Sequence, residues 1–543
     1  MSASDKKKQR KEQQAAAMTE RQKKARKEQR QLAAMTTTFI VVMVLIVAIV
    51  VGVAVAPYIS SYTATHTVAA IVGDHSLNAV EFNYFYIDAI DNYADSVYNY
   101  YYSTFGDYWM YMLPFDYASP LDEQTYDSDT GETWADYFIS AALENAAAIY
   151  AIADLAESEG YTLSEDEQTS ISTYISNLTF YAVYYYGYTD TESYLKAIYG
   201  TGTTVDSYTE YYTMTTLASS YYNAYEDAIE YTDDDLRAYE ADCFDDFSTV
   251  SYAVYTLRQS YYLEDSSSAT DEEKEAATAY ALADAQILVN AGITDVDSFN
   301  EAIGELAVSE SSSITACTEY SSLTPNLSST YSDWLTEEGR AAGDMTYIDI
   351  TTSSTDDDGN TVETTTGYYV LLYIGKDDNY TNLVSVRHIL FQYDTDDDGE
   401  YITDDDSKAA LYAEAEEALN SFLEGEQTEE SFAELAEELS DDTGSNTNGG
   451  LYTDIYPGQM VDAFDEWCFD SSRQSGDTGI VETSYGYHVM YFVETQDMTY
   501  RDYLITNTML SEEMEEWYNS LKDSLATELK NTSRVNTSYT MSS

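Results

Sequence analysis

An internal repeat constrains the fold of this chain more than any other feature of its sequence. Two segments align at a constant spacing of 133 residues, with no gap over most of their length. The aligned pairs are Tyr255/His388, Phe299/Phe432, Tyr331/Phe464, Trp334/Trp467, Arg340/Arg473 and Gly343/Gly476. Chance similarity does not hold one spacing through six pairs, so two copies of one structural unit are predicted.

Each copy has the same order of predicted elements. A strand (residues 251–257 and 383–391) precedes a helix (272–290 and 407–423), and a second, short helix contains SFNEAIGEL or SFAELAEEL. Each copy closes with a strand pair that ends in GYYVLLYIG or GYHVMYFVE. Once an insertion in the first copy, TSSTDDDGNTVET, is allowed for, the closing strands align Gly367/Gly486 and Tyr369/His488. The alternating strands and Ala-rich helices predict an α+β unit, repeated within a multidomain chain.

The charge of the chain is very uneven. The net charge is −74, yet the first 35 residues hold eleven lysines and arginines against four acidic residues. Residues 39–56, FIVVMVLIVAIVVGVAVA, carry no charge and are 18 residues long, about the minimum that spans a hydrocarbon core of ~30 Å. The positive-inside rule predicts a cytoplasmic tail over residues 1–35, a single transmembrane helix over 36–59, and an extracellular or extracytoplasmic remainder at the cell membrane.

A cleaved signal peptide is the alternative to this anchor, because Ala54-Val55-Ala56 fits a small-residue cleavage pattern. The long apolar run and the long basic tail favour an uncleaved helix.

The acidic balance of the remainder argues against nucleic-acid partners and favours basic or uncharged ones. The three cysteines, Cys243, Cys317 and Cys468, are far apart and show no metal-binding spacing, so neither a cofactor nor a cysteine-ligated metal is expected.

The segment after the anchor reads VAAIVGDHSLNAVEFNYF over residues 68–85, which predicts a strand, a turn and the start of a helix. Helical patterns follow at 134–159, 165–185 and 204–228. This layout resembles the N-terminal chaperone region of PrsA/SurA-type foldases, through Val68, Val72, Gly73, Leu77, Glu81 and Phe82. The resemblance implies a helical chaperone domain over 66–245, and a C-terminal helix over 500–531 that packs on it.

The second copy carries several dispersed motifs. They are Arg387-His388-Ile389-Leu390, residues 432–436 (FAELA), Ser440-Asp441-Asp442, Gly449-Gly450, residues 458–461 (GQMV), Phe464 and residues 483–488 (TSYGYH). Together they resemble the parvulin family over residues 383–496. The resemblance implies a peptidyl-prolyl cis-trans isomerase that needs no cofactor.

The resemblance also assigns roles to individual residues. The proline pocket would be formed by Met460 and Phe464, with Tyr452 in its wall, and the paired histidines His388 and His488 would form its floor. Two further catalytic residues are implied: Thr483 would fix the tautomers of the histidines, and Asp442 would act electrostatically near the carbonyl of the turning bond. Rotation about an Xaa-Pro bond breaks amide resonance, at a cost of ~18–20 kcal/mol, and requires no nucleophile.

The first copy, over residues 246–378, lacks this constellation. On the repeat alignment, Tyr255 and Tyr369 stand in place of the histidines, Leu327 in place of Met460 and Tyr331 in place of Phe464. We therefore expect a degenerate parvulin-like domain without activity, used for structure or for client binding.

An acidic loop, residues 394–406, lies between the first strand and the first helix of the second copy. Its charge excludes selection for phosphorylated Ser/Thr-Pro sites. Asp394, Asp396 and Asp398, followed by Gly399, nearly match an EF-type calcium loop, although position 12 is Asp405 and no helix precedes the loop. The alternative interpretation is a solvated acidic loop with no bound metal.

The sequence thus predicts a membrane-anchored foldase that isomerises Xaa-Pro bonds in unfolded or newly exported proteins and also acts as a holdase. The main alternative is a non-catalytic surface chaperone that uses parvulin folds as interaction modules. A third hypothesis is a sensor or scaffold whose basic tail contacts lipid or the ribosome.

Overall fold

The computed structural model describes residues 3–13, 24, 42–46, 49, 56, 58–306, 316–355, 360–396 and 399–537. The predicted anchor over residues 36–59 and the basic tail over 1–35 lie largely outside the described part of the chain. The chain divides into two compact units, one made of Met1–Ile229 with Glu512–Ser543 and the other of Glu230–Ser511. Helices and strands are mixed in this multidomain chain, which confirms that part of the predicted fold class.

The first unit contains a small antiparallel sheet and a set of helices that enclose two hydrophobic clusters. The sheet has the strand order β13-β1-β2, formed by β1 (Val68–Val72), β2 (His75–Asn78) and β13 (Thr527–Leu529). A two-stranded hairpin is formed by β3 (Thr125–Asp127) and β4 (Glu132–Thr133). The helices are α1 (Ala79–Phe105), α2 (Trp134–Glu159), α3 (Glu165–Phe180), α4 (Thr191–Tyr199) and α5 (Val205–Asp227).

Local sequence signals explain where these helices begin and end. Asn78 caps α1, since its side chain accepts from the backbone of Glu81 while the Glu81 carboxylate accepts from the Asn78 backbone. Thr133 caps α2 in the same way, and α2 ends at Gly160, whose φ of 75° lies in the left-handed region that favours glycine. These capping residues therefore account for the boundaries of the two long helices.

Among the described residues, one helix is long and apolar enough to cross a membrane by length and composition. It is α2, and half of its apolar window is buried inside the protein. Phe138 and Ile152 on α2 belong to two hydrophobic clusters of the first unit.

The C-terminal segment returns to the first unit. Helix α13 spans Tyr500–Ser524, and Trp517 on it stacks on Tyr225, with ring centroids 4.3 Å apart. The predicted helix over residues 500–531 is helical only as far as Ser524, and the chain then forms β13, which pairs with β1. Pairing with the edge of β1 satisfies backbone groups that a longer helix would leave exposed.

The second unit contains two four-stranded antiparallel sheets. The first sheet has the order β6-β5-β8-β7 and the second the order β10-β9-β12-β11. The first consists of β5 (Thr249–Arg258), β6 (Thr318–Leu323), β7 (Met345–Thr355) and β8 (Thr361–Asp377). The second consists of β9 (Asn382–Gln392), β10 (Leu451–Ile455), β11 (Thr478–Glu482) and β12 (Gly486–Thr499). Both sheets therefore place their opening and closing strands at the centre.

Helices accompany each sheet of this unit. Those of the first part are α6 (Asp233–Glu240), α7 (Asp271–Val289), α8 (Val296–Gly304) and α9 (Ser332–Leu335). Those of the second part are α10 (Asp405–Glu424), α11 (Glu429–Leu439) and α12 (Asp462–Cys468). Phe299 on α8 and Phe432 on α11 are both fully buried against their sheets, so this repeat pair occupies the same kind of position in both parts.

Other repeat pairs also make the same contact in both sheets. The guanidinium of Arg340 lies 4.0 Å from the ring centroid of Trp334, and that of Arg473 lies 4.0 Å from the ring centroid of Trp467. A Cβ added to Gly486 would lie 2.0 Å from the carbonyl oxygen of Phe391. Gly367 of the first sheet meets a strand equally closely, which explains the glycine at both positions.

The structure corrects one pair of the repeat alignment. Gly367 lies opposite Arg258, whereas Gly486 lies opposite Gln392, so the opening strands correspond at a spacing of 134 residues, not 133. The position of His388 is therefore taken by Val254 in the first sheet, and not by Tyr255. Because side chains alternate along a strand, this one-residue shift moves Tyr255 to the opposite face, where it is fully buried beside the helices.

Candidate active site

Two histidines meet at the centre of the second sheet. His388 on β9 lies opposite Met490, and His488 on β12 lies opposite Leu390, so the two are diagonal neighbours on one face. Their Nδ1 atoms are 3.0 Å apart and their rings are stacked, with centroids 5.2 Å apart. Only 3% of His388 and 6% of His488 is exposed. A buried pair of this kind satisfies its ring nitrogens within the protein.

Each ring also makes a hydrogen bond at Nε2, the nitrogen that faces away from the other ring. His388 Nε2 lies 2.8 Å from Oδ2 of Asp442, and His488 Nε2 lies 2.9 Å from Oγ1 of Thr483. The carboxylate only accepts, so His388 carries its hydrogen on Nε2 and accepts at Nδ1 from His488. His488 Nε2 then accepts from the Thr483 hydroxyl. The hydrogen bonds thus run in one direction, from Thr483 through the two rings to Asp442.

Electrostatics determines the charge of two of these groups. Burial, together with the neighbouring His388, lowers the pKa of His488 to about 3. The hydrogen bond from His388, assisted by that from Ser445, holds the pKa of Asp442 well below its ordinary value. At neutral pH, His488 is therefore an uncharged ring and Asp442 is an anion. The Tyr452 hydroxyl also donates to Asp442, at 3.0 Å, and burial raises the pKa of Tyr452.

A cleft of about 480 Å³ opens above the two histidines. Phe464 on α12 is buried and stands edge-on to both rings, with its centroid 5.3 Å from that of His488 and 5.6 Å from that of His388. Met460 and Tyr452 also line the cleft. An apolar corner thus adjoins a floor made of two imidazole rings, a combination suited to a pyrrolidine ring attached to an amide.

The Gly449-Gly450 pair brings a loop close to this floor. The two residues have φ of 63° and 69°, in the left-handed region. A Cβ on Gly450 would lie 2.1 Å from the carbonyl oxygen of His388, whose backbone N–H donates to the Gly450 carbonyl oxygen at 2.9 Å. Only glycine permits this approach, which carries the chain directly into β10 and positions Tyr452.

The structure brings the seven residues singled out from the sequence to this one place. Six of them line the cleft: His388, Asp442, Tyr452, Met460, Phe464 and His488. Thr483 lies behind His488 and reaches the site through its hydrogen bond. Their catalytic and binding roles belong to the proposal below.

Sequence reasoning missed several residues of the site. The Ser445 hydroxyl lies 3.2 Å from His388 Nε2 and also bonds to Asp442. Its position three residues after Asp442 is typical of an aspartate-capped turn and was a usable signal. Gln392 and Tyr485 line the cleft as well; Tyr485 falls within the motif over residues 483–488 but received no role there, and no local pattern marked Gln392.

The candidate calcium loop is only partly described. Asp396 accepts from the Glu400 backbone at 3.0 Å, and the Gly399 backbone donates to the Asp396 carbonyl oxygen. Among the described residues, no group of three or more His, Cys, Asp or Glu side chains could hold a metal ion. Asp398 lies outside the described residues, so calcium binding by Asp394, Asp396 and Asp398 stays a prediction.

Comparison with known families agrees with the geometry. Residues 388–494 match the rotamase family, described as a PPIC-type PPIase domain. Residues 388–494 form a parvulin domain. The matched range starts at the first histidine of the pair and includes the second.

Two curated relatives each match about a quarter of this chain. Foldase protein PrsA 1 of Listeria innocua is 34% identical over 118 residues, which cover 22% of this chain and 33% of that protein. Chaperone SurA of Alkalilimnicola ehrlichii is 31% identical over 145 residues, covering 25% of this chain and 30% of that protein. The crystal structure of PrsA from Bacillus subtilis is 22% identical, covers 29% of this chain and 55% of that chain, and has a TM-score of 0.19. The chain thus spans about a third of the length of the curated relatives it matches.

Proposed function

We propose that the parvulin domain catalyses cis-trans isomerisation of Xaa-Pro bonds in newly exported proteins. The observation that carries this proposal is the hydrogen-bonded pair His388 and His488, held at both outer ends beneath a cleft with an apolar corner. The reaction has a barrier of ~18–20 kcal/mol from amide resonance, so a catalyst must favour the twisted amide over the planar one.

The residues of the site can favour the twisted amide in two ways. Phe464 and Met460 would hold the proline ring while the rest of the peptide turns. The planar amide carries more negative charge on its carbonyl oxygen than the twisted one, so the anion of Asp442 nearby raises the energy of the planar state more. His388 would keep Asp442 in place through its hydrogen bond, and the neutral His488 adds no charge to the floor.

A protease-coupled assay with an Ala-Pro peptide tests this proposal on the purified chain. His488→Ala and Met460→Ala should each lower kcat/KM by at least an order of magnitude, a typical effect for positioned groups in a site. His75→Gln is the matched control, because His75 lies in the first unit, bonded to Asp154, and its loss should leave turnover unchanged. Wild-type turnover no faster than background would refute the enzyme and favour the non-catalytic chaperone.

We also propose holdase activity in the first unit. Its support is a set of exposed aromatic side chains, of which Tyr111 is 77% and Tyr184 is 78% exposed. Tyrosine offers apolar contact and a hydroxyl at low entropic cost, which suits binding of varied unfolded chains. Suppression of the aggregation of a denatured client should survive His488→Ala and weaken in Tyr184→Ser with Tyr185→Ser. Equal loss in His488→Ala would contradict a separate holdase site.

We also propose that a single helix anchors the chain in the membrane and that the first copy is inactive. The apolar run 39–56 and the basic tail before it support a single anchor with the bulk of the chain outside. Val254 and Tyr369 stand where the histidines of the parvulin domain stand, which supports a degenerate unit over 246–378. Protease added to intact cells should digest the chain beyond residue 60 and spare the basic tail; full protection would overturn this topology.

A further inference from the structure

The described residues of the acidic segment, 394–396 and 399–406, lie beside the mouth of the cleft. Thr395 and Tyr401 form a bridge that turns the segment back on itself. The Tyr401 hydroxyl accepts from Gln392 Nε2 at 2.8 Å, and its ring stands edge-on to Tyr485 at 6.5 Å between centroids. Gln392 and Tyr485 both line the cleft, so these contacts hold an acidic segment beside its entrance.

One carboxylate that the isomerisation does not use lies in the cleft wall itself. Asp441 lines the cleft and is exposed, and its Oδ2 accepts from the Gln392 backbone at 3.0 Å. Tyr485, 48% exposed, lines the same cleft. The wall therefore offers one negative charge and one open aromatic face beside the proposed proline site.

The parvulin domain has few cations that could neutralise this wall. Over residues 383–496 there are 28 acidic residues and three basic ones. Arg387 is paired with Glu429 at 2.9 Å, Lys408 with Glu482 at 2.6 Å, and Arg473 stacks on Trp467. None of the three is among the described residues that line the cleft. The mouth thus presents a negative potential, which a partly enclosed, low-dielectric site strengthens.

We propose that Asp441 and Tyr485 form a subsite that selects a lysine or arginine next to the proline being isomerised. The inference rests on the proposed isomerase function and names its preferred substrate. The aliphatic stem of the cationic residue would lie along the Tyr485 ring, and its charged head would reach the Asp441 carboxylate. Asp441 determines specificity here and does not act on the turning amide.

Three peptides that differ only at the residue before proline, Lys, Ala or Glu, test this subsite with the full chain. The Lys-Pro peptide should exceed the Glu-Pro peptide in kcat/KM by on the order of 10-fold at low ionic strength, the lower end of electrostatic effects on association. Added salt should reduce this ratio, because the charges lie at a solvent-accessible mouth. If the Lys/Glu ratio of the wild type does not change with salt, this result alone refutes the subsite.

Asp441→Asn should reduce the Lys/Glu ratio, since Asn keeps the acceptor for Gln392 and loses only the charge. Glu437→Gln is the matched control: it removes the same charge from an exposed position on α11 outside the cleft, so the ratio should not change. Equal kcat/KM for all three peptides, or an unchanged ratio in Asp441→Asn, overturns the subsite while turnover of the Ala-Pro peptide upholds the isomerase. No turnover of any peptide overturns both.

Discussion

His388 and His488 face each other through their Nδ1 atoms at 3.0 Å, so one of these nitrogens must donate and the other accept. Two imidazolium rings would point two N–H bonds at each other across this distance. The contact therefore leaves room for a hydrogen on only one of the two Nδ1 atoms. Burial and the neighbouring ring keep His488 neutral at physiological pH, since they lower its pKa to about 3.

The lowered pKa of His488 predicts that acid weakens the parvulin domain. The unfolded chain protonates His488 near its ordinary pKa of 6.5, whereas the folded domain does so only near 3. The unfolded state thus binds more protons between these values, so the stability from a neutral His488 is fully present above 6.5 and falls as the pH drops. Asp442 does not contribute to this pH dependence of stability above about pH 5, because its carboxyl group is ionised in both the folded and the unfolded state there.

Hydrogen exchange of the β9 and β12 amides at about pH 7.5 and about pH 5 measures this pH dependence of stability in the parvulin domain itself. A local measurement is needed because a multidomain chain does not unfold in a single transition. Protection should fall toward pH 5 in the wild type, and His488→Gln should show a smaller fall. His75→Gln should behave as the wild type, because His75 lies in the first unit. Equal slopes in wild type and His488→Gln would contradict a depressed pKa of His488.

Asp442→Asn should change the tautomer of His388. With the carboxylate gone, the amide at this position can donate to His388 Nε2, and the one-directional chain to Asp442 is lost. Because hydrogen bonds to charged groups contribute about 1.5–3 kcal/mol, kcat/KM should fall by roughly 10- to 100-fold. Nitrogen chemical shifts of the imidazole rings report the tautomer. Unchanged shifts with unchanged turnover would show that Asp442 does not orient the pair.

Gly450→Ala should disrupt the site sterically. The added Cβ would lie 2.1 Å from the His388 carbonyl oxygen, in a backbone with φ of 69°. Gly458→Ala is a matched control, because Gly458 also has a left-handed φ, of 82°, but meets nothing within 4 Å. The control should cost about 1–2 kcal/mol from backbone conformation alone. Gly450→Ala should cost more, about 3 kcal/mol or above, since the clash is with backbone. Hydrogen exchange of the β9 and β12 amides compares the two variants within the parvulin domain, and equal losses of protection would refute the close approach.

The sequence was most informative where all the residues of a motif lie in one short segment. The strand containing His388 and the closing strand containing His488 each stood out locally, and the resemblance to the parvulin family implied that the two histidines are paired. Ser445 and Tyr401 act through contacts that depend on how loops fold onto the sheet. Gln392, for example, meets Tyr401 only because the acidic segment turns back at Thr395.

The repeat alignment failed for a different physical reason. An offset of 133 describes Phe299/Phe432 and Trp334/Trp467 correctly, but the opening strands correspond at 134. A shift of one residue changes little in a similarity comparison, yet it reverses the face of every side chain on a strand. Burial could not reveal the shift either, because Val254 and Tyr255 are both buried apolar residues.

This corrected register makes Tyr255 and Tyr369 differ in a testable way. Tyr255 is fully buried among Ala281, Phe299 and Val370 on the helix side, whereas Tyr369 is only partly buried on the opposite face, beside Tyr331. Tyr255→His would leave a cavity and bury an imidazole in an apolar core, at a cost of about 3 kcal/mol or more. Tyr369→His should cost about 1 kcal/mol, because water reaches that position.

Hydrogen exchange of the β5 and β8 amides compares the two variants in the first sheet itself. Tyr255→His should lower protection along both strands, while Tyr369→His should leave most of it. If Tyr255 occupied the position of His388, both substitutions would fall on the cleft side of the sheet and would have similar, small effects. Similar effects would therefore restore the spacing of 133 for the opening strands and refute the assignment of Val254.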